Sequence, residues 1–324
     1  MPWWRAIKCE RNMAGQSSFY SKESLCEFNY HNAVREYGPF WHYCTPGQLN
    51  ESVNITEDDF RFSINNLALS AAEAGVHIVT DAHMSNHLHV LVGCKREQCF
   101  IMEEAYLYRA GKHLDAQGRR VSLDRFRCPD PIAVTDLNMM RNEIVYINRN
   151  GFVVDPRHTP FSYPWSGGRV YFNKQDSIEG AVPFNALTYR AKRRISLRSE
   201  PVVPDGYLYK DGLILPCSYL KYRLGESLFR DAHHYFSLLS KNVESFSLIA
   251  KRLGDQVVVT DEEMFNLLGS IARKDFNLSQ ASLLPPQEKI KLAKMMRYDY
   301  NASDSQIQRL LKLDLNVVRE LFPR

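Results

Sequence analysis

Runs of apolar residues of strand length stand out in the first half of the chain. Residues 40–45 form a short aromatic run that ends at the turn signal Pro46-Gly47, which is typical of a strand. Residues 77–81 and 87–93 are two further apolar runs separated by a few polar residues. The pattern predicts that these two runs pair as a hairpin.

Apolar residues at helical spacing mark three other segments of this half. The first begins at Thr56, followed by three acidic residues, and ends at Gly75, as expected for a capped helix. Residues 96–112 and 136–150 have the same periodicity. Strand–helix–strand–strand–helix followed by a further helix predicts an α+β fold, namely a ferredoxin-like (RRM-like) antiparallel sheet with helices on one face.

The pattern changes after Tyr171, and we expect four regions along the chain. Residues 1–35 are irregular and polar and form an N-terminal extension. Residues 36–172 form the α+β domain. Residues 173–255 form a basic linker and a small accessory module, and residues 256–324 form a mainly helical C-terminal domain.

The last helices of the chain resemble a DNA-binding motif. Residues 303–311 begin with a Ser cap, a short break near Asp314 follows, and residues 315–322 form another apolar-striped segment. With the helix at 287–297 before them, they resemble a helix-turn-helix. A structural or dimerising helical bundle is the alternative.

Composition and charge narrow the class of protein. The 324 residues are 44% hydrophobic and 24% charged, which is ordinary for a soluble globular protein. No apolar run approaches the roughly 18 residues of a membrane span, and the N-terminus lacks an apolar signal core. We therefore expect a cytoplasmic protein with no membrane partner.

The formal net charge of +4 is too small to indicate nucleic acid by itself, but basic residues crowd into one segment. They are Arg190, Lys192, Arg193, Arg194 and Arg198. Such a cluster can neutralise several phosphates and release their counterions. A solvated linker face is the alternative.

The residues with the clearest chemistry are two histidines on either side of one apolar residue. In a strand, His87 and His89 project from the same face, while Leu88 packs behind them. Two neighbouring imidazoles can form half of a divalent-metal site. Farther along, Tyr146 and Asn150 are four residues apart and share one face of a helix, so they offer a nucleophilic oxygen and an amide oxygen that can complete the metal shell.

Three segments carry a resemblance to a known family. Residues 84–92, MSNHLHVLV, resemble the MPNHxHLL signature of the HUH transposases that use a single tyrosine. Residues 146–156, YINRNGFVVDP, resemble their YIHxNPVxAGLV segment, and residues 161–171, FSYPWSGGRVY, resemble the YPWSS…Y that follows. The match is nearest to the REP-associated tyrosine transposases, and the three segments stand in the family's order.

The resemblance implies a function and a set of roles. The chain would cleave and rejoin single-stranded or hairpin-associated DNA, with Tyr146 forming a 5′-phosphotyrosine. His87, His89 and Asn150 would hold Mg²⁺ or Mn²⁺, a mixed nitrogen and oxygen ligand set that suits Mn²⁺ well. The protein would act on DNA, would be associated with the nucleoid and can be a homodimer.

The chain departs from the family pattern at three positions. Ser85 replaces a usual Pro, Asn148 stands where His is frequent, and Gly151 replaces another Pro. None removes a group that the chemistry requires. Gly151 leaves the end of the tyrosine helix less rigid, so the position of Asn150 is less firmly set than that of the histidines.

Other residues have more than one interpretation. His83 can be a fourth ligand or a proton shuttle, although a role at the hairpin surface is favoured. Arg125 and Arg127 can clamp phosphate or be merely solvated. For the whole chain, the alternatives to a transposase are a domesticated protein that binds and nicks DNA hairpins, a transcriptional regulator with an inactive HUH domain, and a replication or conjugation nickase. The absence of a G-x-x-x-x-G-K-[ST] motif counts against the last.

Overall fold

The computed structural model describes residues 21–45, 51–154, 158, 162–173, 178–197, 203–241, 249, 259–278 and 280–323. Within them the chain is mixed α and β, with one four-stranded antiparallel sheet and one three-stranded sheet. Buried apolar residues from Cys26 to Phe322 belong to one contiguous cluster. The four regions expected from the sequence therefore pack together.

The four-stranded sheet and its helices are built by the first half of the chain. Their order is α1 (Lys22–Tyr37), β1 (Phe40–Cys44), α2 (Glu57–Ala74), β2 (His77–His83), β3 (Leu88–Gly93), α3 (Arg96–Ala116), β4 (Ile132–Val134) and α4 (Leu137–Val154). The strand order across the sheet is β2-β3-β1-β4, and the neighbouring strands are antiparallel. The expected strands, the hairpin and the three helices are confirmed within a few residues at each end.

The expected cap of α2 is also confirmed. The Thr56 side chain accepts a hydrogen bond from the backbone N–H of Asp59, and the Asp59 carboxylate accepts one from the N–H of Thr56. Gly75 ends the helix in the left-handed conformation, which costs glycine little because it has no Cβ.

Helices lie on both faces of the sheet, so the expectation of helices on one face was wrong. Successive side chains of β1 point to opposite faces. His42 reaches Glu143 of α4, with 2.6 Å between Nδ1 and Oε2, while Tyr43 donates to Glu103 of α3 over 2.8 Å. Nearly every residue of β2 and β3 is buried, so both faces of the sheet pack against other parts of the protein.

The N-terminal region was expected to be irregular, but residues 22–37 form α1. Ser21 caps this helix, and Cys26, Tyr30 and Ala33 are its buried residues. Their spacing of four and three residues is a helical stripe. The polar and aromatic residues scattered among them obscured the stripe in the sequence.

The region after Tyr171 packs against the α+β domain of residues 36–172 instead of forming a free linker. It contains β5 (Val182–Pro183), α5 (Tyr189–Ser196), β6 (Leu208–Lys210), β7 (Leu213–Ile214), α6 (Pro216–Tyr219), α7 (Tyr222–Ser227) and α8 (Ala232–Lys241). Asn65 of α2 donates to the carbonyl of Gly212 and accepts from the N–H of Ile214. The N–H of Lys221 donates to the carbonyl of Ile78 in β2 over 2.7 Å.

The C-terminal region is helical, as expected. Its helices are α9 (Asp261–Phe276), α10 (Pro286–Tyr298), α11 (Asp304–Leu311) and α12 (Leu315–Leu321). Ser303 caps α11 and Asp314 caps α12, each through its side-chain oxygen. Lys312, between α11 and α12, has a φ of 50°. Among the described residues, none of the helices is long and apolar enough to span a membrane.

Candidate functional site

The tyrosine helix packs directly on the strand that carries the second histidine. The ring of Tyr146 in α4 meets the ring of His89 in β3 edge to face, with 5.5 Å between the ring centroids. Both side chains are buried, with 1% and 0% of their surfaces exposed. The sheet and the helix therefore bring together two of the residues expected to act in catalysis.

His87 lies one residue before β3, and its ring still adjoins that of His89. The two rings are perpendicular, with centroids 4.9 Å apart. His87 is half-buried, and its Nδ1 lies 2.8 Å from the side-chain oxygen of Asn86. The predicted pairing of two imidazoles at the start of this strand is present.

Asn150 is in the last turns of α4 and is not its final residue, because the helix continues to Val154. Its side-chain Nδ2 is buried without a hydrogen-bond partner among the described residues. A buried polar atom without a partner is costly, and rotation of the amide by 180° exchanges the positions of its nitrogen and oxygen. An amide oxygen turned to a cation would relieve that cost.

His42 and Glu143 complete the polar cluster, and the sequence analysis did not single out either of them. His42 Nδ1 lies 2.6 Å from Glu143 Oε2, and His42 Nε2 lies 3.1 Å from His89 Nδ1. Both residues are buried. The one signal for His42 in the sequence was a histidine inside an aromatic strand, and Glu143 is one turn before Tyr146 on the same helix.

A buried cation lies beside the tyrosine. Arg149 of α4 is 1% exposed on its side chain and forms an ion pair with Glu263 of α9, with 2.5 Å between Nη2 and Oε2. Burial lowers the pKa of Arg149, whereas the charges of Glu263 and Tyr146 act to raise it. The C-terminal region therefore reaches the tyrosine helix at the residue before Asn150.

The third family-like segment braces the tyrosine helix against β2. The Tyr163 hydroxyl donates to the carbonyl of His83 over 2.9 Å, and Ser166 forms an isolated bridge with Ala82 at the outer edge of β2. A Cβ on Gly151 would lie 2.1 Å from the Tyr163 ring. Glycine at position 151 therefore serves close packing between the helix and this segment, beyond any effect on the helix end.

Asn148, where the family often has histidine, has a structural role. Its side-chain oxygen accepts from Thr80 of β2 over 2.5 Å, and its Nδ2 donates to the Tyr235 hydroxyl of α8 over 3.0 Å. The side chain thus ties the tyrosine helix to the sheet edge and to the accessory region.

His83 lies on the other face of the sheet from His89, and it is not at the surface. It is fully buried, and its Nδ1 lies 2.7 Å from the hydroxyl of Ser63 in α2. In antiparallel pairing His83 is opposite Leu88, whose side chain points away from that of His89. The surface interpretation of His83 was wrong, and a ligand role beside His89 does not fit this orientation.

The basic residues expected to bind DNA fall in two places. Arg190, Arg193 and Arg194 of α5 are exposed, whereas Lys192 is buried. Arg198 lies outside the described residues. Arg125 is exposed in the short 3-10 helix Leu123–Phe126.

The guanidinium of Arg127 forms ion pairs with two glutamates. It pairs with Glu104 at 2.5 Å and with Glu103 at 3.3 Å. Both acids belong to α3, which covers the face of the sheet opposite Tyr146. Arg127 therefore does not face the tyrosine site.

The side chains that the sequence analysis expected to hold a cation are those of His87, His89 and Asn150, and the structure brings the rings of the two histidines together. Among the described residues, no group of three or more His, Cys, Asp or Glu side chains is arranged to hold a metal ion. Such a group does not include asparagine, so it does not bear on Asn150. Imidazole nitrogen with amide oxygen is a ligand chemistry that Mn²⁺ accepts, and the buried Nδ2 of Asn150, which has no hydrogen-bond partner among the described residues, leaves that amide available for such a use.

Comparison of the chain with models of protein families, with curated proteins and with solved structures finds no match. A function is therefore argued from the chemistry of the site itself.

Proposed function

We propose that the chain is a transposase-type single-stranded DNA endonuclease and strand transferase with Tyr146 as its nucleophile. The observation that carries the proposal is the contact of the Tyr146 ring with the ring of His89, 5.5 Å between centroids. It places a tyrosine beside a pair of adjacent imidazoles, of which His89 lies on the strand β3 and His87 directly before it. Positioning on regular elements is what precise catalysis requires.

A divalent cation belongs to this proposal, Mg²⁺ or Mn²⁺, and His87, His89 and Asn150 are the residues that would hold it. When bound, such a cation polarises the phosphate oxygens and offsets the negative charge that builds up during attack. The rings of the two histidines are adjacent, and the side-chain Nδ2 of Asn150 is a buried polar atom without a hydrogen-bond partner among the described residues.

The reaction is an exchange of phosphodiester bonds. The Tyr146 oxygen attacks phosphorus, the bond from phosphorus to the 3′-oxygen breaks, and the 3′-oxygen leaves with a proton as a hydroxyl. A tyrosine hydroxyl has a pKa of about 10, so its deprotonation needs help. Arg149 lies close enough for its charge to interact with Tyr146, and a cation there stabilises the phenolate. The 5′-phosphotyrosine keeps the bond energy, so another 3′-hydroxyl can reverse the step.

The finer features of the fold are part of the same proposal. The order β–α–β–β–α–β with strands arranged β2-β3-β1-β4 supports a ferredoxin-like fold. The three residues that separate α11 from α12 support a helix-turn-helix. The proposal includes hairpin DNA as the partner and association with the nucleoid, and it is compatible with either a monomer or a homodimer.

The site is closed in this structure, which favours a second candidate function. Tyr146 is 1% exposed, so a DNA strand has to displace part of its cover before the hydroxyl meets phosphate. A DNA-binding protein that no longer cleaves, such as a regulator derived from this type of domain, has no need for that opening. A domesticated nicking protein would open its site as a transposase does.

Covalent capture tests the proposal. The purified protein is incubated with Mn²⁺ and labelled single-stranded hairpin DNA from the flanks of its own gene, then run on a denaturing gel. We expect an adduct with wild type and none with Tyr146→Phe or His87→Ala. Tyr30→Phe is the matched control, because Tyr30 is also buried and its hydroxyl donates a long hydrogen bond of 3.4 Å to the carbonyl of Val134, away from His87 and His89.

An adduct that persists in Tyr146→Phe would show that another residue is the nucleophile. Binding of the hairpin by wild type without any adduct would favour the regulator. Absence of the adduct in Tyr30→Phe as well would attribute the effect to folding.

A further inference from the structure

The two buried residues His42 and Glu143 lie behind the histidine pair. His42 sits between Glu143 and His89, at 2.6 Å from a carboxylate oxygen and at 3.1 Å from an imidazole nitrogen. The side chain of His42 is 0% exposed and that of Glu143 is 2% exposed. Water therefore has little access to either hydrogen bond.

The direction of the hydrogen bonds follows from the chemistry of the three groups. An ionised carboxylate only accepts, so His42 Nδ1 carries the hydrogen that points to Glu143. In a neutral His42 the other ring nitrogen, Nε2, is then an acceptor. His89 Nδ1 must donate to it, which leaves the lone pair of His89 on Nε2.

We propose that Glu143 and His42 are positioning residues that fix the orientation and tautomer of His89, so that its Nε2 is the atom presented to a divalent cation. The inference rests on the proposed function, because it concerns the same site. A metal-binding histidine usually donates its other ring nitrogen to a carboxylate, carbonyl or water. Here His42 lies between the Glu143 carboxylate and His89, so the carboxylate orients His89 through His42.

The opposite face of β1 supplies a matched control. Tyr43 follows His42 in the strand, and its hydroxyl donates to Glu103 over 2.8 Å. Glu103 also accepts from the N–H of Cys128 over 2.7 Å. Glu103 and Glu143 are both buried glutamates bonded to neighbouring residues of one strand. Replacing either by Gln removes one buried charge, but only Glu143 is joined to His89.

The first measurement needs no variant and no metal. Two-bond nitrogen–proton NMR spectra of protein labelled with ¹⁵N-histidine distinguish the two neutral tautomers. We expect both His42 and His89 in metal-free wild type to carry the proton on Nδ1. A proton on Nε2 of His89 would overturn the proposal.

The second measurement is Mn²⁺ affinity by titration calorimetry or electron paramagnetic resonance. Glu143→Gln is expected to weaken binding about tenfold, as is typical when an outer partner of a ligand is removed, and Glu103→Gln is expected to leave it unchanged. Equal affinity in Glu143→Gln and wild type would refute the positioning role while leaving the metal site in place. If wild type binds no Mn²⁺, the metal-dependent function is refuted. The tautomer of His89 then still shows whether Glu143, His42 and His89 are joined by the hydrogen bonds described above.

Discussion

Arg149 of the tyrosine helix and Glu263 of the first C-terminal helix form a buried ion pair, with 2.5 Å between Nη2 of the arginine and Oε2 of the glutamate. Glu263 also accepts from the N–H of Thr260, which makes it part of the cap of α9. The position of the C-terminal region and the environment of Tyr146 are thereby linked through one carboxylate.

We predict that Glu263→Gln destabilises the protein by about 3 kcal/mol, because removing one partner of a buried pair leaves the other charge uncompensated. Urea unfolding followed by circular dichroism measures the change in the free energy of unfolding. Glu288→Gln is the control, since Glu288 pairs with the exposed Lys291 of its own helix and such pairs contribute about 0.5 kcal/mol. Equal stabilities for the two variants would contradict a role of the buried pair.

Gly151→Ala is predicted to lower stability by about 2 kcal/mol, as overpacking typically does. The new Cβ would lie 2.1 Å from the Tyr163 ring, which would have to move. Gly111→Ala is the matched control on α3, because the nearest atom to its new Cβ is at an ordinary 3.6 Å. That variant should be neutral or more stable, since alanine favours a helix over glycine. Thermal unfolding compares the two, and a stable Gly151→Ala would show that Tyr163 moves without cost.

Asp59 is predicted to make stability depend on acid pH. Burial by itself would raise the pKa of Asp59, but hydrogen bonds from the Gln117 side chain and from the N–H groups of Thr56 and Ile55 outweigh it and hold the pKa well below its usual range. The native state therefore binds this proton less readily than the unfolded chain. The stabilisation is complete above the usual carboxyl pKa of about 4 and is lost as pH falls through the lower native pKa.

Asp59→Asn should consequently be less stable than wild type by about 2 kcal/mol at pH 7, because hydrogen bonds to a charged group are removed. The difference should shrink as pH is lowered below about 4. Urea unfolding of both proteins at a series of pH values measures it. A difference that stays constant to the lowest pH would show that the charge of Asp59 is not responsible.

Neutralising exposed arginines of α5 is predicted to weaken DNA binding without regard to sequence. Arg193 and Arg194 are exposed. For each arginine that contacts a phosphate, its removal should make the plot of log binding constant against log salt concentration less steep by about 0.7 for single-stranded DNA. Arg193→Gln/Arg194→Gln is compared with Arg127→Gln, whose guanidinium already pairs with Glu104 and Glu103. Fluorescence anisotropy at several salt concentrations gives the slopes, and equal slopes for wild type and both variants would exclude α5 from the DNA-binding surface.

Local patterns predicted most of the first domain. The Thr56 cap, the Gly75 stop and the short apolar runs of β2 and β3 depend on neighbouring residues, so they could be recognised in the chain. The stripe of α1 was missed because polar and aromatic residues stand between Cys26, Tyr30 and Ala33. The docking of residues 203–241 could not be foreseen, since the partners of Gly212, Ile214 and Lys221 are distant in sequence.

The amino-acid sequence by itself determined the strand that carries His89, the helix that carries Tyr146 and the spacing of Asn150 from that tyrosine, because these depend on residue type and periodicity. Only the tertiary structure decided that His83 faces away from His89 and that α4 covers the face opposite α3. It also decided that His42 and Glu143 stand behind His89 and that Glu263 reaches Arg149. Those relationships are set by strand register and by packing between elements far apart in the chain, which no local pattern encodes.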